Sequence, residues 1–260
     1  MNAESLKMAV KEKYSLIANQ SLLNQETSCC GSGSCCGELE INMIGDEYEG
    51  VEGHVADADL GLGCGLPTQY AGINAGDSVL DLGSGAGNDC FIARSIVGEN
   101  GSVTGLDFTE AMIVKAKQNN QKLGFSNVYF VQGDIEDMPL TNNSFDVVVS
   151  NCVLNLVPDK ARAFAEMWRV IKPGGHFCVS DVVTIGTLPE AVQKDMELYA
   201  GCVSGAVSRV DYLKTISDAG FSNTTIHKMK RIEVPQHLLK VMSSNDSEKG
   251  IFSITISAYK

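Results

Sequence analysis

The sequence predicts an α/β fold: a mostly parallel, doubly wound sheet with helices on both faces. Three observations carry the prediction. From residue 78 onward short apolar runs alternate with amphipathic stretches, a glycine-rich turn follows the first run, and an acidic residue ends the second. Such alternation implies parallel pairing joined by right-handed crossovers.

Taken in order, residues 4–20 read as a helix, with Leu6, Val10, Tyr14 and Ile17 near one face. Ser28-Cys-Cys-Gly-Ser-Gly-Ser-Cys-Cys-Gly37 has no periodicity and reads as loop. The acidic run 45–59 is expected to be a solvated face, and Gly61-Leu-Gly-Cys-Gly-Leu-Pro67 is again loop. Strands are expected at Ser78–Leu82, Val103–Leu106, Val128–Gln132, Phe145–Ser150 and His176–Val183. Helices are expected near 88–97, from Thr109 to Leu123 and near Asp159–Ile171, with Pro173-Gly-Gly175 turning the chain into the fifth strand. A helix near 209–219 and strands near 222–230 and 251–258 are placed to close the sheet as an antiparallel edge. The organisation is therefore three-part: 1–40, a helix and a cysteine-rich segment; 41–205, the main α/β unit; and 206–260, a subdomain completing the sheet.

Composition narrows the partners. The 260 residues are 44% hydrophobic and 20% charged, enough for a core without staples. With Lys plus Arg at 20 and Asp plus Glu at 32, the net charge is −12. So acidic a chain is a poor grip for nucleic acid or an anionic membrane, and no basic tract offsets it. The polar N-terminus lacks the apolar core of a signal peptide, and no window reaches the roughly 18 apolar residues of a spanning helix. A cytoplasmic location is expected, where thiols stay reduced. There the nine cysteines read as ligands, redox groups or buried side chains, not as a disulfide frame.

Val79-Leu-Asp-Leu-Gly-Ser-Gly-Ala-Gly87 ends the first strand, with Asp81 inside it and glycines at 83, 85 and 87 where backbone must bend near a ligand. The spacing is not the G-x-G-x-x-G of a pyrophosphate site. Asp107, ending the second strand, is suited to both hydroxyls of a ribose, and Asp134, in Gly133-Asp-Ile-Glu136, to an adenine amino group. Region 75–185 thus resembles the class I S-adenosylmethionine-dependent methyltransferases. The resemblance implies a Rossmann-like, seven-stranded sheet with one antiparallel strand and the cofactor across the strand C-termini. It also implies that Asp81, Gly83, Gly85 and Gly87 form the cofactor turn and Asp107 holds the ribose. Asp134 and Ile135 would flank the adenine, with Asn151 near the methionine.

Cys90 and Cys178 fall inside a predicted helix and strand and read as core. Cys64, Cys152 and Cys202 lie in loop or strand-end segments, 88 and 50 residues apart. Spacing alone leaves them open between a soft thiophilic site and no relation at all. Their surroundings say more. Gly-Leu-Gly-Cys-Gly-Leu-Pro (61–67), Asp-Leu-Gly-Ser-Gly-Ala-Gly-Asn-Asp-Cys (81–90), Ser-Asn-Cys-Val-Leu-Asn-Leu-Val-Pro-Asp-Lys (150–160) and Gly-Cys-Val-Ser-Gly-Ala (201–206) resemble the arsenite S-adenosylmethionine methyltransferases.

That resemblance implies arsenic(III) held by Cys64, Cys152 and Cys202 as thiolates. It also implies a further functional cysteine after Thr27-Ser28, with Cys30 the candidate among Cys29, Cys30, Cys35 and Cys36. The implied substrates are arsenite and methylarsenite, with thioredoxin or glutathione as reductant and no permanent metal. A C- or O-methyltransferase of a small organic acceptor such as a quinone is the alternative enzyme. A non-enzymatic metal-sequestering thiol protein is the alternative of another class. Tyr70 is a candidate cover for the cofactor, Met167 and Trp168 read as core, and the four histidines (54, 176, 227 and 237) have no evident pairing.

Overall fold

The computed structural model describes residues 3–23, 48, 50–186, 205–232 and 249–260. Helix α1 spans Ala3–Leu23 and α2 is the short Pro67–Tyr70 turn. Then follow β1 (Ser78–Leu82), α3 (Asn88–Val97), β2 (Ser102–Asp107), α4 (Glu110–Leu123), β3 (Val128–Gln132) and β4 (Phe145–Asn151). The rest is α5 (Lys160–Val170), β5 (Ile171–Ile185), α6 (Arg209–Asp218), β6 (Ser222–Arg231) and β7 (Gly250–Tyr259). All seven strands form one sheet in the order β3-β2-β1-β4-β5-β7-β6. Strand β7 runs antiparallel to both neighbours, and the pairs from β3 to β5 are parallel. A seven-stranded, mostly parallel sheet with one antiparallel strand is the arrangement that the resemblance implies.

Side-chain alternation along the strands builds two apolar layers. Leu80, Leu82, Val148, Phe177 and Val179 point to one face, where Phe164 and Met167 of α5 and Tyr212 and Ile216 of α6 cover them. Val79, Val103, Val147, Val149 and Cys178 point to the other, under Phe91, Ala93 and Val97 of α3 and Ile113 and Ala116 of α4. Two helices begin at side-chain caps: Asp159 accepts from the Arg162 N–H and Ser208 from that of Asp211. Helix α4 ends on Gly124 in the left-handed conformation.

The strand and helix assignments from 78 onward hold to within a residue or two, apart from the fifth strand. It starts at Ile171, five residues earlier than expected, and runs two residues further, to Ile185. Ile171 already pairs with Phe145, while His176 pairs with Val147, so the Pro173-Gly174-Gly175 turn is absorbed as a bulge. The acidic run is not simply a solvated face. Its Val55 N–H bonds Asn88 Oδ1 and Gly53 lies directly against the backbone of α3, although Glu52 and Asp57 are exposed. Met167 is fully buried and Trp168 packs edge-on against Phe221, both in core roles. No helix among the described residues is long and apolar enough to cross a membrane.

Gly87 caps the start of α3 at φ +99°, and a Cβ there would sit 2.8 Å from the Phe130 ring. Gly87→Ala therefore combines left-handed strain with overpacking and should destabilise the fold by about 1–3 kcal/mol. Urea unfolding checks it: the midpoint drops while the slope stays that of the parent.

Candidate active site

Between β1 and β4 the chain changes winding direction, and an open α/β sheet has its crevice at that point, beyond the strand C-termini. A cleft opens there, lined by the turn after β1, the ends of β2 and β4, and helix α1. The turn is pinned where it leaves the sheet, since the N–H groups of Gly83 and Ser84 both donate to Leu106 O, at 2.7 and 3.0 Å. Gly83 and Gly85 have φ of +70° and +51°. A Cβ at Gly83 would strike Val153, whereas one at Gly85 would meet nothing within 4 Å. Gly83 is thus a packing requirement, and Gly85 presents bare backbone to the cleft.

Asp81, Asp107, Asp134, Ile135 and Asn151 all reach the cleft lining, as do Gly83 and Gly85; Gly87 does not, being buried at the start of α3. Asp107 is buried, and its oxygens accept from the Gly85 N–H (3.0 Å) and the Thr109 N–H (2.8 Å). Burial pushes its carboxyl up and these N–H groups pull it back, with the net shift upward. Asp134 accepts from the Glu136 N–H and from Lys7 Nζ at 2.6 Å. Lys7 also pairs with Glu136, and the two pairings outweigh burial and raise the ammonium pKa.

Helix α1 is the part of the cleft that periodicity did not place. Lys7, Val10 and Tyr14 line it, so the amphipathic face visible in the sequence packs onto the site. Tyr48 and Asp89 were also missed. Asp89 sits in the first turn of α3, where a carboxylate suits the helix dipole. The Tyr48 hydroxyl donates to Asp89 Oδ2 at 2.8 Å, and burial lifts the Asp89 carboxyl to about 6. Asp81 is pushed well above the carboxylate range, by burial and then by the charge of Asp89. Among the buried polar atoms of the lining, Ser84 Oγ, Asn88 Nδ2 and Asp89 Oδ1 have no hydrogen-bond partner. Such atoms are rare in folded proteins and mark a place where a polar ligand is accommodated.

All four described cysteines are buried. Cys90 donates to Asp81 Oδ2, and burial followed by the Asp81 charge drives its pKa well up. Cys178 is pushed up to about 12 by burial alone. Both stay protonated in the core. Cys64 and Cys152, 88 residues apart in sequence, are gathered into one cluster with Val10, Leu156 and Val182. Cys152 lines the cleft at φ +60°, its N–H donating to Ser180 O at 2.7 Å. The Cys64 N–H donates to Asn151 Oδ1 at 3.0 Å, and its carbonyl accepts from Ser253 Oγ at 2.5 Å. Cys202 and the candidates Cys29, Cys30, Cys35 and Cys36 lie outside the described residues.

Tyr70 does not cover the cleft; it stacks on His227 at 5.3 Å and packs with the layer beneath α3. Three histidines do find partners: His54 with Asp59, His176 with Ala71 O and His227 with Ser257 Oγ. His237 is outside the described residues.

This geometry accords with comparisons to known proteins. The family described as "Methyltransferase domain" matches residues 73–233. The chain is 41% identical, over 99% of its length, to the arsenite methyltransferase of Halobacterium salinarum, of which the match covers 67%. The chain belongs to the arsenite methyltransferase family. Among solved structures, the arsenic(III) S-adenosylmethionine methyltransferase of Chlamydomonas reinhardtii is 38% identical with a TM-score of 0.68, covering 76% of this chain and 67% of that one. A ubiquinone/menaquinone biosynthesis C-methyltransferase of Psychromonas ingrahamii is more distant, at 32% identity over 69% of each chain. The chain spans two thirds of the Halobacterium relative and about half of the arsenite methyltransferases of Aquipseudomonas alcaligenes and Mus musculus.

One acidic group of this arsenite methyltransferase family member lies just beyond the thiols. Asp181 of β5 is buried, accepts from the Tyr212 hydroxyl at 2.9 Å, and is pushed up by burial to about 6. Its unfolded value is about 3.9. The folded protein therefore holds this proton more tightly, and the resulting penalty, absent below pH ~4, grows as pH rises towards 6. Asp181→Asn keeps the shape and an acceptor for Tyr212. It should gain stability over the parent as pH rises from 4.5 to 7, read from urea midpoints at the two values. An equal difference at both would contradict the burial assigned to Asp181.

Proposed function

We propose that this protein transfers methyl groups from S-adenosylmethionine to trivalent arsenic held by cysteine thiolates. The observation that carries the reading is the meeting of Cys64 and Cys152 in one buried cluster, with Cys152 opening onto the cleft. The cleft lining fits the methyl donor. Gly85 gives it bare backbone, Asp107 is suited to hold the ribose hydroxyls, and Asp134 and Ile135 are suited to flank the adenine. Unpartnered Ser84 Oγ, Asn88 Nδ2 and Asp89 Oδ1 offer polar contacts. When bound, the donor supplies an electrophilic methyl carbon on a sulfonium sulfur.

The remaining work belongs to the chain. Cys64 and Cys152, with Cys202 as the third ligand, replace the hydroxyls of arsenite, each thiol proton leaving with a hydroxyl as water. Three thiolates leave trivalent arsenic a lone pair, and that pair is the nucleophile. No side chain has to remove a proton. What the protein contributes is alignment, since holding reacting atoms about 3–3.5 Å apart replaces the entropy loss of a bimolecular encounter. The apolar neighbours Val10, Leu156 and Val182 keep water from the thiols.

Methyl transfer leaves arsenic formally pentavalent. Two electrons return it to the trivalent state. Two of the thiolates supply them and join as a disulfide, and the vacated position on arsenic is taken by a thiol or water with release of a proton. Cys30, or one of Cys29, Cys35 and Cys36, is suited to exchange with that disulfide. An external thiol, thioredoxin or glutathione, then restores the reduced enzyme.

The test is methylation of arsenite with S-adenosylmethionine and a thiol reductant, with speciation of the products. The parent should yield methylated arsenic. Cys152→Ser, which removes one sulfur ligand, should lower the rate by more than about 10²-fold, as misplacement of a reacting atom does. A Cys152→Ser protein as fast as the parent would rule out the thiolate site. Methylation of a quinone acceptor unaffected by thiol blockade would favour the organic-acceptor chemistry instead.

A further inference from the structure

We propose that Asn151 is a positioning residue that couples the cleft to Cys64, so that arsenite and the methyl donor bind with positive cooperativity. The inference rests on the function proposed above and adds to it a route between the two binding places. A single carboxamide, at the end of β4, touches both.

Its hydrogen bonds are over-subscribed. Asn151 Nδ2 has two protons but faces three acceptors: Gly65 O at 2.7 Å, the Tyr48 hydroxyl oxygen at 2.6 Å and Asp89 Oδ2 at 3.2 Å. The Tyr48 O–H itself donates to Asp89, so the phenol oxygen is free to accept from Asn151. One amide proton therefore holds Gly65, and the other is shared between Tyr48 and Asp89. On the opposite side, Asn151 Oδ1 accepts from the Cys64 N–H at 3.0 Å. The amide thus grips the thiol's own N–H and the carbonyl of the next residue.

The loop it grips has little room to adjust independently. A Cβ on Gly63 would stand 2.9 Å from Asn151 Nδ2, and one on Gly65 would stand 2.6 Å from Ser180 Oγ. Neither glycine has a positive φ. Both are there for close approach, which packs the Cys64 loop directly on the Asn151 amide and on β5. A rotation of the amide plane moves the backbone that carries the thiol.

The cleft acts on the same amide through Asp89. Asp89 Oδ1 is buried, lines the cleft and has no partner, while Oδ2 takes Tyr48 and Asn151. A ligand ammonium, which the methyl donor carries on its amino-acid end, supplies the missing partner. With Asp89 held from that side, Oδ2 fixes the phenol and the shared amide proton, and so fixes the loop. By linkage, a loop already fixed by arsenic on Cys64 favours the ligand at Asp89 by the same factor.

The experiment measures arsenite affinity of the reduced protein by calorimetry, with and without saturating S-adenosylhomocysteine, which keeps the ammonium and has no methyl to give. The parent is expected to bind arsenite about tenfold tighter when the cleft is filled. In Asn151→Ala that ratio should fall to about one. Tyr48→Phe, which removes only the hydroxyl joining Asn151 to Asp89, should lower the ratio as well, and it carries the test if Asn151→Ala does not fold. A merely structural role for Asn151 would weaken both measurements and leave their ratio intact. A ratio of one in the parent, or a parental ratio in the variants, overturns the proposal. Failure of the underlying arsenic chemistry looks different, since the parent would then bind no arsenite in either condition, and the coupling would fall with it.

Discussion

The parallel pairing of β1 with β4 is the constraint on which the site depends. Val79 to Leu82 stand beside Val147 to Ser150 in register, and the crossovers leaving these strands go to opposite sides. Nothing in the sheet then covers the strand ends between them. The glycine turn leaves β1 at that spot, and Asn151 and Cys152 leave β4 at the same height. The buried hydrogen bond from Ser150 Oγ to Leu82 O, at 2.9 Å, ties the two strands just before they diverge. A slip of two residues in this register would move the glycine turn and Cys152 apart by about 6.6 Å along the strands, more than the spacing between neighbours.

Much of this was legible because it follows from local pattern. The strands from Ser78 to Asn151 announce themselves as short apolar runs, and α3 to α6 as the amphipathic stretches between and after them. The core assignments of Cys90 and Cys178 followed from lying inside such elements. What local pattern does not carry is which surface an amphipathic helix meets. Leu6, Val10 and Tyr14 read as one face of α1, but that Val10 and Tyr14 of this face line the cleft is set by tertiary contacts and by Lys7 reaching Asp134. Tyr48 and Asp89 escaped for a related reason: a lone tyrosine in an acidic stretch and a carboxylate in a helix's first turn both have ordinary surface explanations. Tyr70 was misplaced because nearness in sequence to the Cys64 loop is not nearness in space; the short α2 turns it towards His227. The convergence of Cys64 with Cys152 came from resemblance, since spacing alone left their relation open.

Electrostatics in the site run against solvation. Asp81, Asp89 and Asp107 are buried near one another, and each has its carboxyl pushed up by that burial. An assembly of this kind repels itself when charged and is relieved by a cation or by hydrogen-bond donors. The protein already supplies N–H groups to Asp107 and Tyr48 to Asp89. The arrangement is most comfortable with a positively charged, hydroxyl-bearing ligand in the cleft, a description that S-adenosylmethionine meets.

Cys152 occupies the left-handed region at φ +60°, where a side chain costs roughly 1–2 kcal/mol and glycine costs almost nothing. The backbone at this position would be more at ease with no side chain at all. The sulfur is therefore carried at the fold's expense, in the way functional sites tend to hold local strain. Selection for thermal robustness alone, blind to chemistry, would be drawn to glycine at 152. A more stable descendant obtained that way would keep its sheet, its cleft and the glycine turn after β1, and would have discarded the one cysteine sulfur that lines the cleft among the described residues.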